Sequence, residues 1–547
     1  MEGSVALRPA PAAVETPVAT PRPPAPPAHS AHPAHHCPPL TGREKFAFFA
    51  MVVGMFMAIL DIQIVSSSLS EIQAGLSASA TEVSWVQTSY LIAEVVMIPF
   101  SGYLSRLLST RVLFVASAVG FTVMSFACAF AWNLPSMIAF RLLQGFLGGA
   151  MIPTVFATSF ILFPPHRRAS VTVVMGLVAT MAPTLGPTLG GYLTQVFSWH
   201  WLFLINLMPG IFVALTVWAL LDIDEPDRSL LEGFDLPGIV LMAVFLCSVE
   251  YVLEEGPRWQ WFEDDGVAAF AAIGTVSGVL FFWRVLTYRR PIVDLWAFRD
   301  RNFAFGCLLS FVLGIGLYGS VYLLPLFLAQ VRGYNSLQIG LVMMVTGTCQ
   351  FISAPIVGFL SKKLDLRIML AIGLTLFGSS VWLNHYVTSD WGFWELATPQ
   401  GIRGFSLMLC FVPINSLALG TLPVDRLKNA SGLYNLMRNL GGALGLATIN
   451  TVLIERLALH ESRLSDHLTL TSPRVQQMLD GLSARIAPTL GGDATLPATK
   501  ILWRMMEQQA HVLTFSDCLL LMSLVFFAAV FLMPLIHKPR AFTQRAH

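Results

Sequence analysis

The chain has 547 residues, a formal net charge of +1, 12% charged residues and 55% hydrophobic ones. A soluble domain carries about 25% charged residues, and so few polar groups cannot cover so much apolar surface in water. The near-equal 33 Lys+Arg and 32 Asp+Glu imply no polyanionic partner, so a soluble enzyme, a disordered chain and a nucleic-acid binder are all excluded in favour of a polytopic membrane protein.

Residues 1–45 differ in kind from the rest. The stretch PRPPAPPAHSAHPAHHCPP has no apolar core region and no cleavage pattern, so it does not read as a signal peptide. His29, His32, His35 and His36 with Cys37 offer weak metal-binding chemistry, but the composition fits a disordered, polyproline-like tail better. The remaining cysteines are scattered through apolar runs with no CxxC spacing, so neither a disulfide framework nor a zinc site is expected.

From there on, apolar runs near the ~20 residues needed to cross a bilayer follow one another closely. Fourteen are predicted, on 46–68, 84–104, 112–131, 135–162, 171–196, 202–221, 237–254, 266–286, 304–328, 338–361, 367–387, 399–421, 431–455 and 513–536. With the amino terminus cytoplasmic, the inner flanks from Arg43 onward hold 19 Lys/Arg, including Arg289, Arg290, Lys538 and Arg540, and the short outer loops hold two, Arg258 and Arg332. That asymmetry places both termini in the cytoplasm. The segment 456–512 is then a long, polar and partly helix-patterned outer loop, with a short cytoplasmic tail at 538–547.

PFSGYLSR at 99–106 and PIVGFLSK at 355–362 align at one offset, which also pairs Leu108 with Leu364 and Arg111 with Arg367. The chain therefore contains two related halves, 46–222 and 301–537, with two further spans inserted between them in 223–300. Two six-helix halves plus two extra helices give an all-α fold of fourteen spans. This organisation resembles the major facilitator superfamily, in its fourteen-span drug:proton antiporter branch (EmrB/QacA-like). The resemblance rests on LDIQIVSSSL at 60–69, RLLQG at 141–145, GPTLGG at 186–191, RNFAFG at 301–306, LYGSVYLLPLFLAQVRGY at 317–334 and SGLYNLMRNLGGALG at 431–445. The chain departs from the family in carrying Arg106 where an acidic residue is common, and SSSLS after the first-span motif.

An ionisable group inside a span costs ~2.5–3.5 kcal/mol and is a functional candidate by default. Asp61, Glu94, Arg141, Glu250, Arg403 and Arg438 fall in spans. Glu94 is the sharpest, since no water-facing end lies within a turn of it. With Gln87, Tyr90 and Ile98 it forms a stripe at helical spacing that should line a cavity. Its aligned position in the second half is Gln350, which cannot ionise, so proton handling is expected in the first half. The resemblance implies a role for Asp61 in proton coupling or substrate binding, and assigns Arg141 and Gln144 to the family's Arg-x-x-Gln-Gly pattern, with Gln144 expected in the substrate cavity beside Gln87 and Tyr90. A guanidinium fixed near a carboxylate favours its ionised form and so proton release.

The resemblance also identifies GPTLGG, after Pro183, as the antiporter motif. Gly186, Gly190 and Gly191 present a bare surface to a neighbouring helix, and Pro187 removes a backbone donor. Gly102, Arg106 and Arg111, repeated as Gly358, Lys362 and Arg367, are expected to form an inner gate, although anchoring the spans explains these basic residues equally well.

No phosphate-binding GxxxxGKS/T loop, HExxH or nucleophile constellation occurs. The chain is not expected to be an enzyme or to need a cofactor, and an ion gradient must supply the energy. The expected function is proton-coupled export of amphipathic or aromatic compounds across a bacterial inner membrane. A dedicated carrier of one metabolite, such as an organic acid, is the alternative. A non-transporting sensor fits the intramembrane acids poorly. The expected partners are a small-molecule substrate and the lipid bilayer. Because some relatives pair with a periplasmic adaptor and an outer-membrane channel, the long outer loop is a candidate docking element.

Overall fold

The computed structural model describes residue 3 and residues 41–537, apart from 80–81, 289–290, 470–471 and 491–494. The His/Pro-rich tail, Arg289, Arg290 and the segment 538–547 thus lie outside the described residues.

Every regular element among the described residues is helical, and fourteen helices are long and apolar enough to cross a membrane. In chain order they are α1 (Gly42–Ser66), α2 (Trp85–Leu108), α3 (Thr110–Ala129), α4 (Leu134–Leu162), α5 (Arg167–Val196), α6 (Trp201–Leu220), α7 (Leu236–Glu255), α8 (Asp265–Thr287), α9 (Arg301–Gln330), α10 (Leu337–Lys363), α11 (Leu366–Asn384), α12 (Phe393–Leu419), α13 (Val424–Asp466) and α14 (Thr495–Leu535). Each predicted run overlaps its helix. Hydrocarbon offers no partner for a bare amide, so a chain of this hydropathy satisfies its backbone internally as helices. Helix starts are written locally as well. The Thr41 side chain accepts from Glu44 N, while the Glu44 carboxylate accepts from Thr41 N at 2.8 Å, a capping box that opens α1.

The packing scheme repeats. In the first half α1 lies against α5 and α6, α2 against α4, and α3 against α4 and α6. In the second half α9 lies against α13 and α14, α10 against α12, and α11 against α12 and α14. Helix n of one half thus corresponds to n+8 of the other, as the aligned strings at the ends of α2 and α10 require. The halves meet through α2 on α13 and α5 on α10. The inserted helices α7 and α8 pack on each other, and α7 packs on α2. α8 turns Val276, Val279, Trp283 and Leu286 outward, as a lipid-facing helix does. An even number of crossings returns residue 537 to the end of the bundle where residue 41 begins. That end is the terminal end, the other the distal end.

The segment 456–512 carries the partly helical pattern further, into helix over most of its described length. α13 continues unbroken to Asp466, a helix spans Pro473–Leu490, and α14 starts at Thr495. Val475 and Leu479 cluster with Ala498 and Leu502, joining the short helix to the start of α14. The segment is too polar for a hydropathy window, which detects only helix that faces lipid.

Candidate functional site

Between the halves a cavity of about 640 Å³ opens toward the distal end, walled by α1, α2, α5, α7, α9, α10 and α13. Sites for drug-sized ligands run from about 300 to 1,000 Å³. On α2 the lining residues are Ser84 at its start, then Gln87, Leu91, Glu94 and Val95. Each residue turns an α-helix by about 100°, so these five share one face and Tyr90 is rotated off it. Gln87 and Glu94 therefore line the cavity as expected, whereas Tyr90 and Gln144 do not and Ile98 lies deeper.

Glu94 is only 1% exposed, and neither of its carboxylate oxygens has a hydrogen-bond partner among the described residues. Arg438 of α13 and Arg141 of α4 are within electrostatic reach. Arg438 donates from Nη2 to Asn435 at 2.8 Å and lies over the Phe156 ring at 5.5 Å, with Nε and Nη1 unpartnered among the described residues.

Behind α2, sealed from the cavity, lies a second set of charges. Arg141 donates from Nη1 to Asp61 Oδ2 at 2.6 Å and to Gln144 Oε1 at 2.9 Å, and from Nε to the Val86 carbonyl at 3.1 Å. Asp61 Oδ1 accepts from Gln144 at 3.3 Å and from Asn206 of α6 at 2.7 Å, and Asn206 also reaches Ser125. The Arg141 guanidinium stands 4.3 Å over the Tyr90 ring. Four helices thus hold one buried ion pair, with Tyr90 and Gln144 as components of it and Arg141 Nη2 left without a hydrogen-bond partner among the described residues. In the second half, α12 carries the same two residue types in reverse order. There Thr346 donates to Gln400 at 3.0 Å, and Arg403 donates to Thr346 at 3.0 Å and to the Ser320 carbonyl at 3.2 Å, with no carboxylate among its partners.

The GPTLGG string joins α5 to α1. A Cβ at Gly186 would strike Gln63, and one at Gly190 would lie 2.7 Å from Ser67 Oγ and 3.0 Å from the Ile64 carbonyl. Pro187 reaches the cavity wall, while Pro183 and Gly191 are buried. On another face of α5, Thr188 meets Gly340 of α10, so this helix carries both a within-half and a between-half contact.

At the terminal end the halves close. A Cβ at Gly102 would lie 2.8 Å from Asn429 Cα, so only glycine lets α2 and α13 approach there. Lys428 donates to the Ser105 carbonyl at 3.1 Å and pairs with Asp224. The Asp224 carboxylate also accepts from the Thr110 backbone at 3.1 Å. Of the predicted gate residues, Gly102 is in this contact. Arg106 accepts the Asp227 amide through its carbonyl, and Arg111 pairs with Asp222 at 3.8 Å. Arg367 is occupied by Asp365 at 3.1 Å and the Ile536 carbonyl at 3.2 Å, within the second half. Gly358 faces Val173 of α5 with ordinary spacing, and Lys362 lies by an open groove. Lys428 of the second half is thus tied to the first half directly at Ser105, and to Thr110 through Asp224 in the connection between α6 and α7, a contact that the basic repeat did not indicate.

Sequence reasoning also passed over Glu254 and Asn206, and left Glu250 and Arg438 as ionisable residues without a role. Their signal was the cost of burying polar groups, weak for Glu254 because it sits beside Glu255 at a helix end.

A family model described as Major Facilitator Superfamily matches residues 51–446. The colistin resistance protein EmrB of Acinetobacter baumannii is 45% identical over 487 residues, 89% of this chain and 94% of that protein. The multidrug export protein EmrB of Escherichia coli K12 is 30% identical over 449 residues, 81% of this chain and 88% of that protein. Among solved structures, the human organic anion transporter MFSD10 (TETRAN) aligns with a TM-score of 0.53 at 14% identity, covering 88% of this chain and 99% of that one. That last likeness concerns the fold alone.

Proposed function

We infer that this chain, which belongs to the major facilitator superfamily, is a multidrug exporter that moves amphipathic or aromatic compounds by alternating access, driven by a proton gradient and without a cofactor or enzymatic step. The observation that carries this reading is the drug-sized cavity whose floor holds the unpartnered carboxyl of Glu94 and whose terminal end is closed. The activities for which the relatives are named, multidrug export and colistin resistance, support it. The metabolite-carrier alternative is less well supported, because an organic acid needs a cationic partner and no Lys, Arg or His among the described residues lines the cavity.

The basic residues orient the chain with both termini in the cytoplasm of a bacterial cell and the cavity open to the outside. In that state Glu94 takes a proton from outside. After rocking of the halves, substrate entering from the cytoplasm displaces the proton, and competition for one site is sufficient for antiport. Asp61 and Arg141 do not reach the cavity. Their pair fixes a guanidinium behind α2, where it biases Glu94 electrostatically. Gln87 contributes a polar contact to the ligand, and the distal helical segment serves as a docking element for a periplasmic adaptor and outer-membrane channel.

The test is substrate-induced proton release from the purified protein, with ethidium as probe. Wild type releases protons, and Glu94→Gln binds ethidium without releasing them. Equal release from both removes Glu94 from the coupling step.

A further inference from the structure

The inserted pair of helices has no counterpart in the repeat, yet one of them enters the cavity. Trp85 of α2 lies 5.9 Å from Tyr251 of α7, ring to ring, and Trp261 after α7 donates to Thr451 of α13 at 3.0 Å. So fixed, α7 places Glu250, Leu253 and Glu254 on the cavity wall. The two acids are four residues apart, about 6 Å along one helix face. Glu255, on another face, accepts from Trp259 at 3.1 Å and pairs with Arg258 at 3.7 Å. Neither Glu250 nor Glu254 has an ion-pair partner among the described residues, and Glu250 is 5% exposed with Oε2 unpartnered.

The cavity therefore carries three acids and, among the described residues, no base. One acid is on the floor, at Glu94, and two are on the α7 wall, where Glu250 is within electrostatic reach of Glu94 and Glu254 is within reach of Glu250. Tyr318 and Tyr322 of α9 supply aromatic surface in the same cavity, and aromatic faces attract desolvated cations. Buried carboxylates persist where a counter-charge arrives.

We propose that α7 is part of the substrate pathway, and that Glu250 and Glu254 form a second acidic subsite which, with Glu94, selects amphipathic ligands carrying two separated cationic groups. The proposal rests on reading this cavity as the substrate site. It makes Glu250 and Glu254 specificity-determining residues, and gives the inserted helices a role beyond spacing the halves.

The experiment is equilibrium binding to the full-length protein in lipid nanodiscs, with dequalinium as the dication and tetraphenylphosphonium as the monocation. Wild type is expected to bind dequalinium at least tenfold more tightly. Glu250→Gln with Glu254→Gln weakens dequalinium about tenfold or more and changes tetraphenylphosphonium less than twofold. The monocation thus reports folding, and each single variant shows a smaller change of the same ratio. Unchanged dequalinium affinity, equal losses for both probes, or no wild-type preference overturns the proposal. Binding needs no gradient, so failure of proton-driven export in vesicles would count against the exporter reading and leave the subsite standing.

Discussion

Lys428, at the start of α13, reaches across the interface to Asp224 in the connection between α6 and α7, and the same amine holds the Ser105 carbonyl at the end of α2. One side chain therefore ties three segments at the terminal end. Both members are largely buried, and hydrogen bonds to charged groups are worth about 1.5–3 kcal/mol each. Lys428→Met should shift the closed-to-open ratio at this end by tenfold or more. Distances between spin labels on the α2–α3 and α12–α13 connections measure it. A wild-type distance distribution in the variant would show that the link does not hold the closed state.

The Asp61–Arg141 pair carries a different expectation. Removing one member of a buried pair costs about 3–5 kcal/mol, because the other charge is stranded. Arg141→Ala leaves Asp61 with Gln144 and Asn206 as donors but no cation, and should lower the Tm in detergent by many degrees. Asp61→Asn leaves the Arg141 cation without its anion but keeps the Val86 carbonyl, Gln144 Oε1, the Tyr90 ring face and an amide oxygen around it, so it should cost less. Thermal unfolding followed by loss of the monodisperse peak ranks the two, and the opposite ranking contradicts the account.

At Gly190 the neighbours are the hydroxyls of Ser67 and Ser68 and the Ile64 carbonyl, and the carbonyl cannot retreat without moving α1. Gly190→Val should cost about 1–3 kcal/mol as overpacking, and should lower ethidium export more than a valine at Gly358, where Cβ finds 3.4 Å to Val173. Export rates normalised to protein in the membrane make the comparison, and equal effects would deny the α1–α5 contact its special tightness.

Orientation is checked by cysteine labelling. The six described native cysteines are buried or half-buried, and with Cys37 replaced by Ser the background is low. Ser472→Cys should react with a membrane-impermeant maleimide in sealed cells, and Ser229→Cys should react only after permeabilisation. Reaction of Ser229→Cys in sealed cells reverses the assignment.

Sequence alone displayed the fourteen spans because lipid demands long apolar windows, and those windows need no knowledge of neighbours. It lost the distal parts of α13 and α14, where helix is held by packing such as Val475 on Ala498 and Leu502. Glu94 was legible as an acid far from water. Which neighbours share its face was not, because a helical stripe drawn through Gln87, Tyr90 and Glu94 tolerates a rotation of about 60°. The structure turns that stripe toward Leu91 and Val95 and sends Tyr90 behind Arg141. The Asp224–Lys428 link joins residues 204 apart, in segments that each read as ordinary inner flank.

The continuous helix from Leu427 to Asp466 has 40 residues, about 60 Å at 1.5 Å per residue, against a hydrocarbon core of about 30 Å. The same helix begins at the Lys428 link and passes Arg438 beneath Glu94, so one rigid rod runs from the closed end past the floor of the cavity and on beyond the bilayer. A tilt of about 10° in such a rod would swing a tip standing some 30 Å clear of its pivot by about 5 Å. The distal tip is therefore a pointer, and a fluorophore placed on it reads the state of the carrier without touching the site.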